Sequence, residues 1–158
     1  MASSSGAYNV IRPGVATSTA ITVIQVLAPA LSAIEISRVW CNQNSVTTTN
    51  QTQLQLNRNS TACTVTSATA VPLANGMQAS KCVGGTSATG VTATAEGTLT
   101  ATIWSEGFNI VNGVLYLPVP EARALVVGSA AGFVGVKFPS APAAANYVTG
   151  IEWLENAG

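Results

Sequence analysis

Thr52-Gln53-Leu54-Gln55-Leu56-Asn57 alternates strictly. Leu54 and Leu56 fall on one side of an extended chain and the glutamines on the other, the pattern of a strand with one face in a core and one in water. The same period-two signal recurs on both sides of this stretch. Upstream, Ile21-Thr22-Val23-Ile24-Gln25-Val26-Leu27 is rich in β-branched residues and ends at a turn around Pro29. Ala33 to Cys41 follows, with Ile34, Ile36 and Trp40 in alternation. Arg38 falls on that same face, so either this end of the strand is exposed or a bulge resets its register.

Downstream, Thr98-Leu99-Thr100-Ala101-Thr102-Ile103-Trp104 alternates again. Phe108-Asn109-Ile110-Val111 and Val114-Leu115-Tyr116-Leu117 flank Asn112-Gly113, a dipeptide suited to a type I′ turn, which predicts a hairpin. Pro118-Val119-Pro120 breaks the second arm. Ala124–Val127, Gly132–Phe138 and Tyr147–Leu154 read as three more strands, and Glu121 to Leu125 has room for one helical turn at most. From about Arg58 to Glu96 the alternation weakens into Ser, Thr, Ala and Gly, punctuated by Asn75-Gly76 and Gly84-Gly85. This is a long polar excursion with one or two short strands, not a separate domain. About eight strands, no sustained helical period and no fixed repeat in 158 residues predict an all-β, single-domain jelly roll or β-sandwich over residues 20–158, with the excursion at about 58–96.

Residues 1–19 precede that domain. Tyr8-Asn9-Val10-Ile11-Arg12 stands before Pro13-Gly14, and apolar and aromatic residues ahead of such a break suggest an extended arm that pairs with a neighbouring chain. The competing reading makes this segment the first strand of its own sheet. On the arm reading, Tyr8, Val10, Ile11 and Arg12 are the contact residues.

Only 8% of residues are charged, and six Lys and Arg balance six acids. No basic run exists to bind nucleic acid or an anionic membrane. So little charge does not keep a surface apart by repulsion, which suits a protein that works in assembled form, as a homo-oligomer. The longest apolar stretch, Ile21 to Leu31, is interrupted and too short to cross a bilayer. The N-terminus lacks the basic and apolar regions of a signal peptide, so synthesis in the cytoplasm without export by that route is expected. Cys41, Cys63 and Cys82 form no CxxC pair, and with no His there is no zinc ligand set. Cys41 reads as a small core residue; a Cys63–Cys82 bridge is left open.

The chain has neither His nor Asp, so the usual general bases are missing and its many Ser and Thr hydroxyls lack an activating partner. No nucleophile elbow, P-loop or dinucleotide fingerprint occurs. Glu35, Glu96, Glu106, Glu121, Glu152 and Glu155 remain, and a glycosidase runs on two carboxylates. The plainer reading assigns them to solvated faces and local ion pairs, Glu121 with Arg123 for one. Trp40, Trp104 and Trp153 lie on three predicted strands and could line a sugar-binding face, but such residues more often form core or subunit contact. The sequons at Asn50 and Asn59 have no use without export. The chain reads as non-catalytic, without metal or cofactor.

Ser105-Glu106-Gly107-Phe108-Asn109, then Gly113 through Pro120-Glu121, the strand through Phe133 and Phe138, and the closing Gly150-Ile151-Glu152-Trp153-Leu154-Glu155 together resemble the jelly-roll decoration (cement) proteins of tailed-phage heads. The N-terminal half is similar in arrangement: an apolar strand into the Pro29 turn, then Ile34-Glu35-Ile36 through Trp40 to Asn42-Gln43-Asn44-Ser45. The resemblance covers most of the chain by pattern and omits the excursion. It implies a small protein on the outer capsid surface of the virion, often a trimer and sometimes a dimer, that clamps neighbouring major capsid protein subunits. A phage tail or fibre module, or a carbohydrate-binding jelly roll, is the alternative.

Overall fold

Leu54 and Leu56 are fully buried while Gln51 and Gln53 face water, and this division of faces repeats through two antiparallel sheets packed against each other. A computed structural model describes residues 6–128 and 132–156. In chain order the strands are β1 (Gly6–Thr17), β2 (Ile21–Leu27), β3 (Ala33–Gln43), β4 (Gln51–Asn59), β5 (Thr64–Ser67), β6 (Val71–Pro72), β7 (Gly90–Ala95), β8 (Leu99–Asn109), β9 (Val114–Tyr116), β10 (Ala124–Val127), β11 (Phe133–Phe138) and β12 (Ala145–Asn156). The first sheet has the order β10-β3-β12-β1-β6, with β9 also on β3; the second has the order β5-β7-β2-β11-β4-β8. β9 and β10 pair with different stretches of β3 and share one strand position. Without the three short strands of the excursion, eight positions remain. The chain visits the sheets in jelly-roll order, crossing between them at every step except β4 to β8. The all-β sandwich predicted from alternation is the fold.

The excursion forms three short strands rather than one or two. β6 extends the first sheet beyond β1, and β7 and β5 extend the second beyond β2. Its backbone also covers the outer face of β2, where Cys63, Val65 and Ala93 make a small second core against Ile21. Hence β2 is buried on both faces, and Gln25 is fully enclosed. Its amide accepts from Cys63 N (2.6 Å) and donates to Ala88 O (2.7 Å), which satisfies it as burial requires.

Residues 6–17 are not an arm that leaves the domain. β1 pairs with β12 from Gly6↔Glu155 to Thr17↔Ala145, and the register shifts only between Arg12 and Val15. Pro13-Gly14 therefore marks a bulge inside a strand; Pro lacks the donor that a ladder needs, and the chain kinks there without ending. The part of the expected arm before Gly6 lies outside the described residues.

The Arg38 ambiguity resolves as a bulge. Glu152 pairs with Arg38 and Trp153 with Ile36, leaving Ser37 over. Ile34 and Ile36 point inward, and after the extra residue Val39 and Cys41 do. Trp40 is thereby turned to the outer face, contrary to the alternation.

The predicted Asn112-Gly113 hairpin does not form. β8 belongs to the second sheet and β9 to the first, so the turn carries the chain between sheets. Asn112 keeps a negative φ, whereas Gly113 has φ +71°; both their amides donate to Asn109 O (3.0 and 3.1 Å). A type I′ turn needs two left-handed residues, and this one has a single one. The segment after β9 makes a 3₁₀ turn at Pro120–Ala122, the single turn allowed for. No helix among the described residues is long and apolar enough to cross a membrane.

Cys41, Cys63 and Cys82 are free and buried, so the bridge left open between Cys63 and Cys82 is absent. They serve different cores: Cys82 packs in the main one and Cys63 in the small one. Burial pushes the Cys41 thiol up to about 11, with opposing pulls from Thr149 and Arg12, and raises that of Cys82 as well.

Two outcomes follow. Native protein is expected to resist thiol alkylation at neutral pH and to take up three labels after unfolding; rapid native labelling of Cys41 would contradict its burial. Gly113→Ala is expected to cost about 1–3 kcal/mol in denaturant titration, since a β-carbon would enter the left-handed region and collide with Asn42 and the Cys41 carbonyl.

Candidate interaction surface

A sandwich offers edges and faces to partners. An open edge is a row of unpaired amides and carbonyls, and natural sheets blunt it. On the β1/β2 side, the excursion's short strands occupy both edges. On the other side β8 is long and mostly exposed, but its pairing with β4 shifts register twice, leaving Ile103 and Thr100 as extra residues that twist the edge away. The β9/β10 edge is short and interrupted by Pro118 and Pro120, and Arg58 reaches across from the second sheet to donate to Leu125 O (2.7 Å). Trp104 of β8 and Tyr116 of β9 meet at 5.1 Å between ring centroids and bridge the sheets there.

Among the described residues, none covers the outer face of the first sheet. Register sets its cross-strand rows. Leu115, Trp40, Gly150 and Ile11 form one; Leu125, Glu35, Leu154 and Ala7 a second; Arg38, Glu152 and Asn9 a third. The Trp40 indole lies over Gly150, where a β-carbon would collide with it, and the Arg38 guanidinium stands 4.8 Å from the ring centroid. Leu115, Leu125, Val127 and Ile11 are each about half exposed (50, 47, 58 and 49%). The charges on this face cancel locally: Arg38 with Glu152 at 3.5 Å, Arg123 with Glu35 at 4.0 Å. Arg123 was expected to pair with Glu121; the 3₁₀ turn instead delivers it to the start of β10, beside Glu35 of β3. The result is a broad, neutral, partly apolar face. Near Trp40 it holds an open depression of about 310 Å³, lined by Arg38, Trp40, Asn42, Asn112, Gly113 and Leu115.

Of the four residues named for contact, the structure brings only Ile11 to a surface. Tyr8 and Val10 point into the core, where Tyr8 stacks on Trp153 at 6.3 Å. Arg12 is 1% exposed; its Nε donates to Thr92 Oγ1 at 2.8 Å, and burial lowers its pKa, opposed by Cys41. Arg12 thus holds β1 to the excursion at Thr92, a β-branched residue with φ +53°. Tyr8, Val10 and Arg12 share one face of β1, and that face lies against the second sheet and the excursion.

The carboxylates are engaged separately. Glu35 accepts from Asn156 Nδ2 (2.7 Å) as well as meeting Arg123. Glu155 is 1% exposed and accepts from Ser80, from Lys81 N (3.0 Å) and from Trp153 Nε1 (3.2 Å). Glu96 accepts from Thr22 N (2.7 Å), Thr22 Oγ1 (2.6 Å) and Lys137 Nζ (3.0 Å). Glu106 and Glu121 face water. Among the described residues no group of three His, Cys, Asp or Glu could hold a metal ion. The three tryptophans do not share a face: Trp153 is core, Trp104 bridges the sheets, Trp40 lies outside. Sequence reasoning missed Trp40's turn to the surface and the Glu155 cluster. Gly150, opposite Trp40, is the one signal for the first, since an aromatic often covers a strand glycine.

Burial alone would raise the pKa of Glu96, but the Thr22 hydrogen bonds and Lys137 outweigh it, leaving the carboxyl below its ordinary value. Its contribution to stability is therefore complete above the unfolded-state pKa and lost as pH falls through the lower folded value. Glu96→Gln is expected to lower stability at neutral pH and to flatten the acid limb of the stability–pH curve; a variant with an unchanged acid limb would remove Glu96 from the account.

Comparison with protein-family models, with curated proteins and with solved structures found no match to this chain.

Proposed function

We propose that this chain is a non-catalytic decoration (cement) protein of a tailed-phage head, acting on the outer capsid surface to stabilise contacts between major capsid protein subunits. The outer face of the first sheet carries this reading. It is broad and half-exposed, its charges are already paired, and the sheet edges are blunted, so a flat protein surface is a better occupant than an added strand. A face of this kind also suits self-association, and the resemblance favours a trimer. The balanced, sparse charge favours neither nucleic acid nor membrane as a partner. The engagement of Glu35, Glu96, Glu152 and Glu155 in structural contacts favours a binding role over carboxylate-pair hydrolysis, which needs two acids facing one substrate.

The depression beside Trp40 favours a second reading, a carbohydrate-binding module of a phage tail or fibre, because an aromatic with neighbouring amides is a common way to hold a sugar. Mass spectrometry and cryo-electron microscopy of purified particles separate the two: density on the head supports the first, density confined to a tail structure the second.

The double variant Ile11→Ser/Leu115→Ser is expected to keep its melting temperature yet lose head binding by about ten- to a hundredfold, since each side chain is already half buried and an interface would add about half of the 1.5–3 kcal/mol of full burial. Glu106→Gln and Glu121→Gln should leave binding unchanged. A carbohydrate-cleaving activity abolished by any single Glu→Gln change would replace this proposal with an enzyme.

A further inference from the structure

The chain contains two Asn-Gly pairs, Asn75-Gly76 and Asn112-Gly113, and no aspartate. In such a pair the glycine amide nitrogen can attack the asparagine side-chain carbonyl, because no β-carbon shields it. A nitrogen–carbon bond closes a five-membered succinimide, the bond to the side-chain nitrogen breaks, and ammonia leaves. Water then opens the ring at one carbonyl to give aspartate, or at the other to give isoaspartate, in which the main chain runs through the former side chain. The reaction requires a free backbone N–H at the glycine and a turn able to rearrange.

The two pairs differ in both respects. Gly113 N donates to Asn109 O at 3.1 Å, and the glycine is wedged between Asn42 and the Cys41 carbonyl. That turn also carries the chain from one sheet to the other, so distorting it would disturb β8 and β9 together. Asn75 and Gly76 are exposed, at the centre of a turn closed by Met77 N to Ala74 O at 3.4 Å. Gly76 has φ +80°, as the third residue of a type II turn requires, and a β-carbon there would meet nothing within 4 Å. Among the described residues the hydrogen bonds of this turn fall on its neighbours and not on Gly76 N.

We infer that Asn75 is a site of spontaneous deamidation in the folded protein and that Asn112 is shielded from it. The conversion takes the formal net charge from 0 to −1 and creates the first aspartyl residue in the chain. Its position gives it a structural effect. The segment around it is fastened on one side by Leu73 N to Ala7 O (2.9 Å) and on the other by Tyr8 Oη to Gln78 O (3.1 Å). Isoaspartate adds one main-chain atom between these anchors, and the hydroxyl contact at Tyr8 is the one that gives, loosening the excursion from β1.

The test is to age the full-length protein in mildly alkaline buffer, native and in denaturant, and to follow each asparagine by peptide mass spectrometry. Native protein is expected to convert Asn75 at least about five-fold faster than Asn112, the protection that one backbone hydrogen bond confers, and denatured protein to convert both at similar rates. A protease that cuts before aspartate offers a second readout, since the fresh chain has no such site. Asn75→Ser should abolish the native conversion and Asn112→Ser should leave it intact. Hydrogen exchange of residues 73–80 is expected to quicken in the isoaspartate form. Equal or faster conversion of Asn112 in the native state would overturn the assignment, and unchanged exchange in the aged protein would overturn the loosening.

Discussion

Glu155, with almost no exposure and no ion pair among the described residues, receives the Ser80 hydroxyl, the Lys81 main-chain N–H and Trp153 Nε1 at the end of β12. Through these bonds the excursion is fastened to a central strand of the first sheet, and much else depends on that attachment. A buried carboxylate is tolerated only when its lone pairs are occupied, and three donors supply what a cation would otherwise supply. Tyr8 Oη on Gln78 O and Arg12 Nε on Thr92 Oγ1 add two further tethers from β1. With the excursion held there, β6 and β7 continue both sheets past β1 and β2, Gln25 finds its partners, and the outer face of β2 is covered. A segment rich in Ser, Thr, Ala and Gly has little apolar area with which to hold itself down, so directed hydrogen bonds take that role.

Closing the edges on one side by the excursion, and on the other by bulges, prolines and Arg58, concentrates what remains available in the outer face of the first sheet. There the Ser37 bulge has a consequence beyond geometry. Without it Trp40 would enter the core and Cys41 would face water. With it the indole lies over Gly150 beneath Arg38, and the apolar row from Leu115 to Ile11 is completed across four strands. Among the described residues the second sheet offers no equivalent: its outer face carries Gln53 bonded to Ser105 at one side and the excursion at the other.

Alternation of apolar and polar residues is a local property, visible wherever one face of a strand is buried. For this reason β2, β4, β10, β11 and β12 were legible within a few residues of their ends, and Leu54, Leu56 and Cys41 could be assigned inward. The absence of His and Asp, and the scarcity of charge, were equally plain in the composition and narrowed the chemistry before any strand was placed. What alternation could not convey is the identity of each strand's neighbour. Val114 to Tyr116 reads identically whether it folds back on β8 or crosses to β3, and crossing prevails because Val114 and Tyr116 gain burial against Cys41 and Val39. Tyr8 to Arg12 likewise reads as a strand in either setting, and only the length of matching ladder on β12 keeps it within its own domain. Bulges leave no trace in a period-two pattern except a residue on the wrong face, as Arg38 was. The amino-acid sequence alone therefore determined the class of fold, most strand positions and the poverty of titrating groups. The tertiary structure alone decided which sheet each strand joins and which residues reach the surface, because pairing partners and register are settled by contacts between residues far apart in the chain.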